Sequence, residues 1–182
     1  MSGTLDLARL EMLRVLRNKR YMIFTIGLPV ALYLAFGRSQ ATAYGVGFKA
    51  FYMIAMASIG AFSGALTGNA QRISQERKDG WIRQLRITPL PAFGYVTAKI
   101  IASLVTTVPS IVIVLVLGRF YGGVQLAPWK WIAVGVVIWL GSMTFASLAV
   151  GIGYRFMPDT VQPVTMFVYL LMSILGGLWF AL

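Results

Sequence analysis

Apolar residues in this chain come in long unbroken runs, and the polar residues collect in the gaps between them. A run of about 20 apolar residues is the length that crosses a bilayer as a helix. Five such runs are read, at 21–37, about 46–68, about 100–118, 131–153 and 164–182. Pro29 lies inside the first, where a membrane helix tolerates it once neighbours satisfy the freed carbonyl. Trp129, Trp131, Tyr121 and Tyr154 stand at the ends of the later runs, as interfacial aromatics do. The linkers 119–130 and 154–163 are short and punctuated by Gly122, Gly123, Pro128, Pro158 and Pro163. The pattern predicts an all-α integral membrane protein, one domain over 1–182, with about five transmembrane helices.

Two segments depart from this pattern. Residues 1–20 read as an amphipathic interfacial helix, with Thr4 as its cap and Asp6 in its first turn. Leu5, Ala8, Met12, Val15 and Leu16 share one face at helical spacing, and Arg14, Arg17 and Asn18 share the other. Such a helix lies in the headgroup plane with its basic face toward anionic lipid, or serves as a plain basic anchor. The second segment, 69–91, is the long polar stretch of the chain, NAQRISQERKDGWIRQLRITPLP. Its first part extends the second run as a helix to Asp79. Gly80 suits a helix end or tight turn, 81–87 form a short helix, and Thr88-Pro89 is a cap and first helical residue leading into the third run. On the short helix Trp81, Ile82 and Leu85 share one face, and Arg83 and Arg86 the other. An amphipathic elbow of this kind can transmit a push between two membrane helices, or lie passively on anionic lipid.

Composition fits this class: 58% of residues are hydrophobic and 12% charged, about half the charged share of a soluble domain. Mean hydropathy is +0.77. The net charge of +11 invites a nucleic-acid reading, but a membrane protein acquires the same excess from the bias of Lys and Arg toward cytoplasmic segments. Counting alternate sides of the five runs gives Arg9, Arg14, Arg17, Lys19, Arg20, Arg72, Arg77, Lys78, Arg83, Arg86, Lys99 and Arg155 on one and Arg38, Lys49, Arg119 and Lys130 on the other. The imbalance places the N-terminus and the 69–91 loop in the cytoplasm, with no nucleic-acid partner expected. A basic start, an apolar run and Ala41-Thr42-Ala43 also sketch a signal peptide, but the charged region and the apolar run are both too long for one.

The chemistry available is narrow. The chain has no Cys and no His, which removes thiol and imidazole catalysis and Cys/His metal sites. All five acids, Asp6, Glu11, Glu76, Asp79 and Asp159, fall on the cytoplasmic side by this count, so no run carries a carboxylate at mid-depth where a proton-coupled transporter usually needs one. No GxxxxGK[ST] sequence occurs. If the protein moves a solute uphill, an ATPase partner docking on the polar loop is the economical source of energy. Within the second run Gly60, Gly64 and Gly68 repeat at four-residue intervals, the spacing that lets helix backbones approach closely, either within the subunit or at a dimer interface.

The stretch ERKDGWIRQLRITPLP, followed by Tyr95 and Ala98-Lys99, resembles the signature between the second and third helices of type-2 ATP-binding-cassette (ABC) exporter permeases, the class of the daunorubicin-resistance-like membrane subunits. The N-terminal amphipathic helix, LPVALYLAFG in the first run and LGGLWF near the end are similar too, so the resemblance spans the chain. It implies a permease subunit without enzymatic activity of its own in the cell membrane, with ATP and Mg bound by a separate nucleotide-binding ATPase subunit and no cofactor or metal in this chain. It further implies a second permease subunit, identical or related, and membrane lipid as surroundings. The coupling residues it implies are Glu76, Arg77, Gly80, Trp81, Leu85, Arg86, Thr88 and Pro89. Charge-free runs favour a hydrophobic or amphiphilic cargo such as a drug, antibiotic or lipid. Polysaccharide export by a related permease and a non-transporting scaffold or sensor are the alternatives. In the resembling family LGGLWF leads on to a sixth helix, so the chain as given is expected to lack it.

Overall fold

The computed structural model describes residues 2–37, 47–85 and 93–177, and all regular structure among them is helical. Helix α1 (Ser2–Arg17) begins before Thr4, so Thr4 sits inside the helix and does not cap it. At Asn18 the backbone leaves helical geometry, and the Asn18 side chain caps α2 (Lys19–Phe36) by accepting from the Tyr21 backbone N–H at 3.1 Å. The break turns the chain by 74° between Leu7–Arg17 and Tyr21–Phe36.

Helix α3 (Phe48–Ser63), a π-helical segment (Gly64–Gly68) and α4 (Asn69–Lys78) run on as one helix of 31 residues. After the turn at Asp79 and Gly80 comes the short α5 (Trp81–Leu85). Then follow α6 (Gly94–Phe120), α7 (Pro128–Arg155) and α8 (Pro158–Leu175). Pro158 opens α8 and Pro163 lies within it, which shortens the expected 154–163 linker to Phe156 and Met157. Proline at the first helical position loses only a donor that has no partner there anyway, which is why α8 can start so early.

Among the described residues three helices, Phe48–Lys78, Gly94–Phe120 and Pro128–Arg155, are long and apolar enough to cross a membrane, and the bent α1–α2 pair makes a fourth if it counts as one span. The expected fifth run corresponds to α8 up to Leu175, and its last residues, 178–182, lie outside the described ones. The helix of α3 and α4 is the central post: 61% of its most apolar window is buried inside the protein, against 39% for α6 and 22% for α7.

The three glycines explain how the post is gripped. On α2, Tyr21, Thr25 and Pro29 also repeat every four residues, and they meet Gly68, Gly64 and Gly60 in antiparallel order. A Cβ on Gly68 would lie 2.6 Å from the Tyr21 ring, one on Gly64 2.8 Å from Thr25 Cγ2, and one on Gly60 3.0 Å from Pro29 Cγ. Within the widened π turn the Gly64 carbonyl accepts a hydrogen bond from the Tyr21 hydroxyl at 2.9 Å. The space at Gly64 and Gly68 is therefore filled by the chain's own second helix, and Gly60 lies against both Pro29 of α2 and the Ser110 side chain of α6.

Most of the hydroxyls spread through the apolar helices turn back on themselves. Ser63, Thr106, Thr107, Ser142, Ser147, Thr165 and Ser173 each donate to a carbonyl three or four residues earlier in the same helix. They are satisfied locally and build no polar track across the bundle. At the far end from α4, Tyr33 is buried and stacks on Tyr52 with ring centroids 6.1 Å apart, and Tyr52 and Tyr121 donate to the Leu32 and Leu34 carbonyls.

The glycine fit makes a stability prediction. Gly68→Ala should destabilise the detergent-solubilised protein by about 1–3 kcal/mol, the usual cost of overpacking. Gly151→Ala, with nothing within 4 Å of its added Cβ, should not. Thermal unfolding of the two variants beside the parent chain measures the difference; equal midpoints for all three would refute the close approach at Gly68.

Candidate functional site

Helix α4 is strongly polar, with the sequence NAQRISQERK, yet Asn69, Ala70, Ile73, Ser74 and Glu76 are all buried. Buried polar groups persist only when paired, so the partners of α4 define what it does. Its side chains engage two different neighbours.

One side grips the α7–α8 turn. Ser74 Oγ donates to the Phe156 carbonyl at 2.8 Å and Arg77 Nη2 to the same oxygen at 2.7 Å, while Arg77 Nη1 donates to the Tyr154 carbonyl. Gln71 Nε2 reaches the Pro158 carbonyl at 3.4 Å. The last carbonyls of a helix have no partner within it and carry the negative end of its dipole, so a guanidinium there is stabilising twice over. Close contact is possible because α7 presents Gly153, whose Cβ would lie 2.8 Å from Ile73 Cβ.

The other side carries Glu76 into a buried node of charge. Lys99 of α6 places its Nζ 2.7 Å from Glu76 Oε1 and 2.8 Å from Glu11 Oε2 of α1. Arg14, one turn after Glu11, puts Nη1 3.0 Å from Glu76 Oε1. Tyr95, one turn before Lys99, donates its hydroxyl to Glu76 Oε2 at 2.6 Å, lies under the ammonium with its centroid 5.3 Å away, and meets Tyr154 of α7 edge-on. Lys99 is only 1% exposed and both carboxylates 5%. Two carboxylates, one ammonium and one guanidinium sum to zero, the condition for keeping such charges out of water. Removing one partner of a buried pair typically costs about 3–5 kcal/mol, because the other is left uncompensated. The node therefore holds α1, α4 and α6 in one register.

The coupling residues expected from the sequence divide sharply. Glu76 and Arg77 lie side by side in sequence, but face inward to the node and to the α7–α8 turn. Gly80 has φ +75° with nothing within 4 Å of an added Cβ, so only its backbone conformation demands glycine. Trp81 is 42% exposed at the start of α5, and Leu85 ends that helix. Arg86, Thr88 and Pro89 lie outside the described residues. Gly64 and Gly68 face α2, and Gly60 faces both α2 and Ser110 of α6. Among the described residues no group of three His, Cys, Asp or Glu side chains is placed to hold a metal ion.

Sequence reading gave Glu11, Arg14, Tyr95 and Lys99 no shared role. A signal was present: Tyr95 and Lys99 stand four apart at the head of an otherwise apolar helix, and a lysine there needs one of only five acids. What the sequence withheld was which acid, because Glu11 and Glu76 come from segments 65 residues apart.

Comparison with known proteins places this architecture. A family model described as ABC-2 family transporter protein matches residues 31–182. The chain is also similar to a protein of Bacillus subtilis (strain 168) described as putative transport permease YvfS, at 30% identity over 171 residues, covering 93% of this chain and 70% of that protein. No solved structure matches the chain. The family match takes in the central post, the polar helix and α6 to α8, while Glu11 and Arg14 of α1 lie before its first residue, and the chain accordingly belongs to the ABC-2 transporter family as a membrane permease subunit.

Proposed function

We propose that this permease is the membrane-spanning subunit of an ATP-driven exporter, and that α4, the Gly80 turn and α5 are the lever through which a separate ATPase subunit works it. The observation that carries this reading is the double attachment of α4. Any displacement applied beyond Gly80 reaches α1 and α6 through Glu76, and α7 and α8 through Arg77, Ser74 and Gln71. Trp81, exposed just past the turn, is the side chain suited to seat in a partner's groove.

In this reading the N-terminus and α4 to α5 are cytoplasmic, and the chain crosses the cell membrane five times. Two permeases, identical or related, pair with two nucleotide-binding subunits that hold ATP and Mg. The cargo is a hydrophobic or amphiphilic compound, drug-, antibiotic- or lipid-like. Locally satisfied hydroxyls and the absence of mid-depth carboxylates from the apolar runs support a cargo that needs few polar contacts.

Orientation is testable because the chain has no native cysteine. Ser74 would make a poor probe, being fully buried and bonded to Phe156, whereas Lys78 and Gln125 are exposed. Single cysteines at these two positions, treated in intact cells with a membrane-impermeant thiol reagent, should label at 125 and stay protected at 78. The opposite pattern would invert the topology and remove the docking proposal with it.

The lever itself separates binding from transmission. Gly80→Pro cannot keep φ at +75°, and Trp81→Ala removes the expected anchor. Each should weaken copurification of the cognate ATPase about tenfold or more while the permease remains in the membrane. Arg77→Gln should leave ATPase binding intact but reduce cargo-stimulated hydrolysis, since it loosens only the α7–α8 attachment. Full ATPase binding and transport in all three variants would refute the lever.

A further inference from the structure

Helix α1 has two working faces. Ala8, Glu11 and Val15 are buried against the bundle, where α1 lies along α6. The outward face is not the basic strip that the sequence alone suggests. Leu10 is 64% exposed and Leu13 43%, and they share a shallow cavity of about 440 Å³ with Arg14, Arg17 and Asn18 at the α1–α2 bend. The acid of this stretch, Glu11, is turned inward to Lys99, so the exposed charges from Leu7 to Lys19 are Arg9, Arg14, Arg17 and Lys19, all positive. Leucines beside guanidiniums, at the 74° bend between α1 and the apolar α2, match one kind of ligand: acyl chain against the leucines, phosphate against the arginines.

Arg14 belongs to both sites. One of its nitrogens lies 3.0 Å from Glu76 Oε1 in the buried node, yet its side chain is 64% exposed. A guanidinium has five N–H donors in a planar fork, so it can hold Glu76 along one edge and a phosphate along another.

We propose that the cleft of Leu10, Leu13, Arg14, Arg17 and Asn18 is a binding site for an anionic phospholipid, and that Arg14 connects the bound headgroup to the Glu76–Lys99–Glu11 node. Lipid in this cleft pins α1 against α4, so the charge of the surrounding leaflet sets how firmly α4 is held. A zwitterionic headgroup carries its own cation and gains less from the pair of arginines. A soluble phosphate lacks the chain that Leu10 and Leu13 receive. An acidic protein surface would use the arginines and leave the leucines facing water. This inference concerns the permease alone and does not depend on the ATPase reading.

The test uses the full chain purified in mild detergent and exposed to equimolar phosphatidylglycerol and phosphatidylcholine of the same acyl length, with retained lipid read by native mass spectrometry. The chain should keep phosphatidylglycerol over phosphatidylcholine by about tenfold, the ratio that one additional charge-assisted phosphate contact supplies. Arg17→Gln, outside the node and so without effect on its pairing, should reduce that preference several-fold. Arg14→Gln should do so as well, and should also widen the distance distribution between spin labels at positions 16 and 78, measured in phosphatidylglycerol nanodiscs. Arg119→Gln, at the opposite end of the bundle, should leave both readouts unchanged. Equal retention of the two lipids would overturn the proposal, as would an equal loss in Arg119→Gln and Arg17→Gln, or displacement of the lipid by millimolar inorganic phosphate. An unchanged lipid preference in Arg17→Gln, accompanied by loss of a copurifying acidic protein, would assign the cleft to a protein partner and overturn it too.

Discussion

The buried ammonium of Lys99 is the constraint around which one end of this permease is built. An isolated charge cannot remain in a low-dielectric interior. Lys99 remains because Glu76 and Glu11 arrive from two other segments, with Tyr95 and Arg14 completing the set. Lys99, Glu76, Glu11 and Tyr95 stay out of water together, and Arg14 meets them from the exposed side. The result is an all-or-none joint between the N-terminal helix, the end of the central post and the head of α6. Hydrophobic contact alone would allow those helices to slide, since membrane helices gain little from apolar burial against one another. A charge node with short, directional bonds does not slide.

This joint gives α4 its place in the molecule. A polar helix at the end of a membrane span would ordinarily extend into water with its side chains solvated. Here it is enclosed, with an acid bonded to one group of helices and a guanidinium bonded to another. Adjacent residues on an α-helix point about 100° apart. The consecutive pair Glu76 and Arg77 is thus the minimal sequence that attaches one helix to two neighbours at once. The proposed cargo transport asks such a helix to move as part of a rigid whole, and the bonding provides for that.

The membrane class, the long helices and the continuation of the second run into a polar extension were all legible in the runs and gaps, because lipid imposes a length and a composition that few other environments demand. The beginnings of helices were less legible. Thr4 has the chemistry of a cap, but the helix starts before it, and Pro163 resembles a linker residue but sits inside α8. Local residue preference is a weak guide where the surrounding bundle decides. Gly60, Gly64 and Gly68 announced a close approach, but not the partner, since Tyr21, Thr25 and Pro29 share a spacing and no chemical likeness. The node was the least visible part. Its members lie far apart in sequence, and a carboxylate such as Glu76 within a polar loop reads as solvated until a structure encloses it.

The π-helical segment at Gly64–Gly68 sets the angular phase of everything beyond it. A π turn holds one more residue than an α turn, and one residue of α-helix is about 100° of rotation. The same residues wound without that extra one would carry α4 round by about a quarter-turn relative to α3. Glu76 would then leave the direction of Lys99, and Arg77 would leave the carbonyls of Tyr154 and Phe156. The irregular turn, secured by the Tyr21 hydroxyl on the Gly64 carbonyl, acts as an indexing step between a span shaped by lipid and a helix shaped by charge.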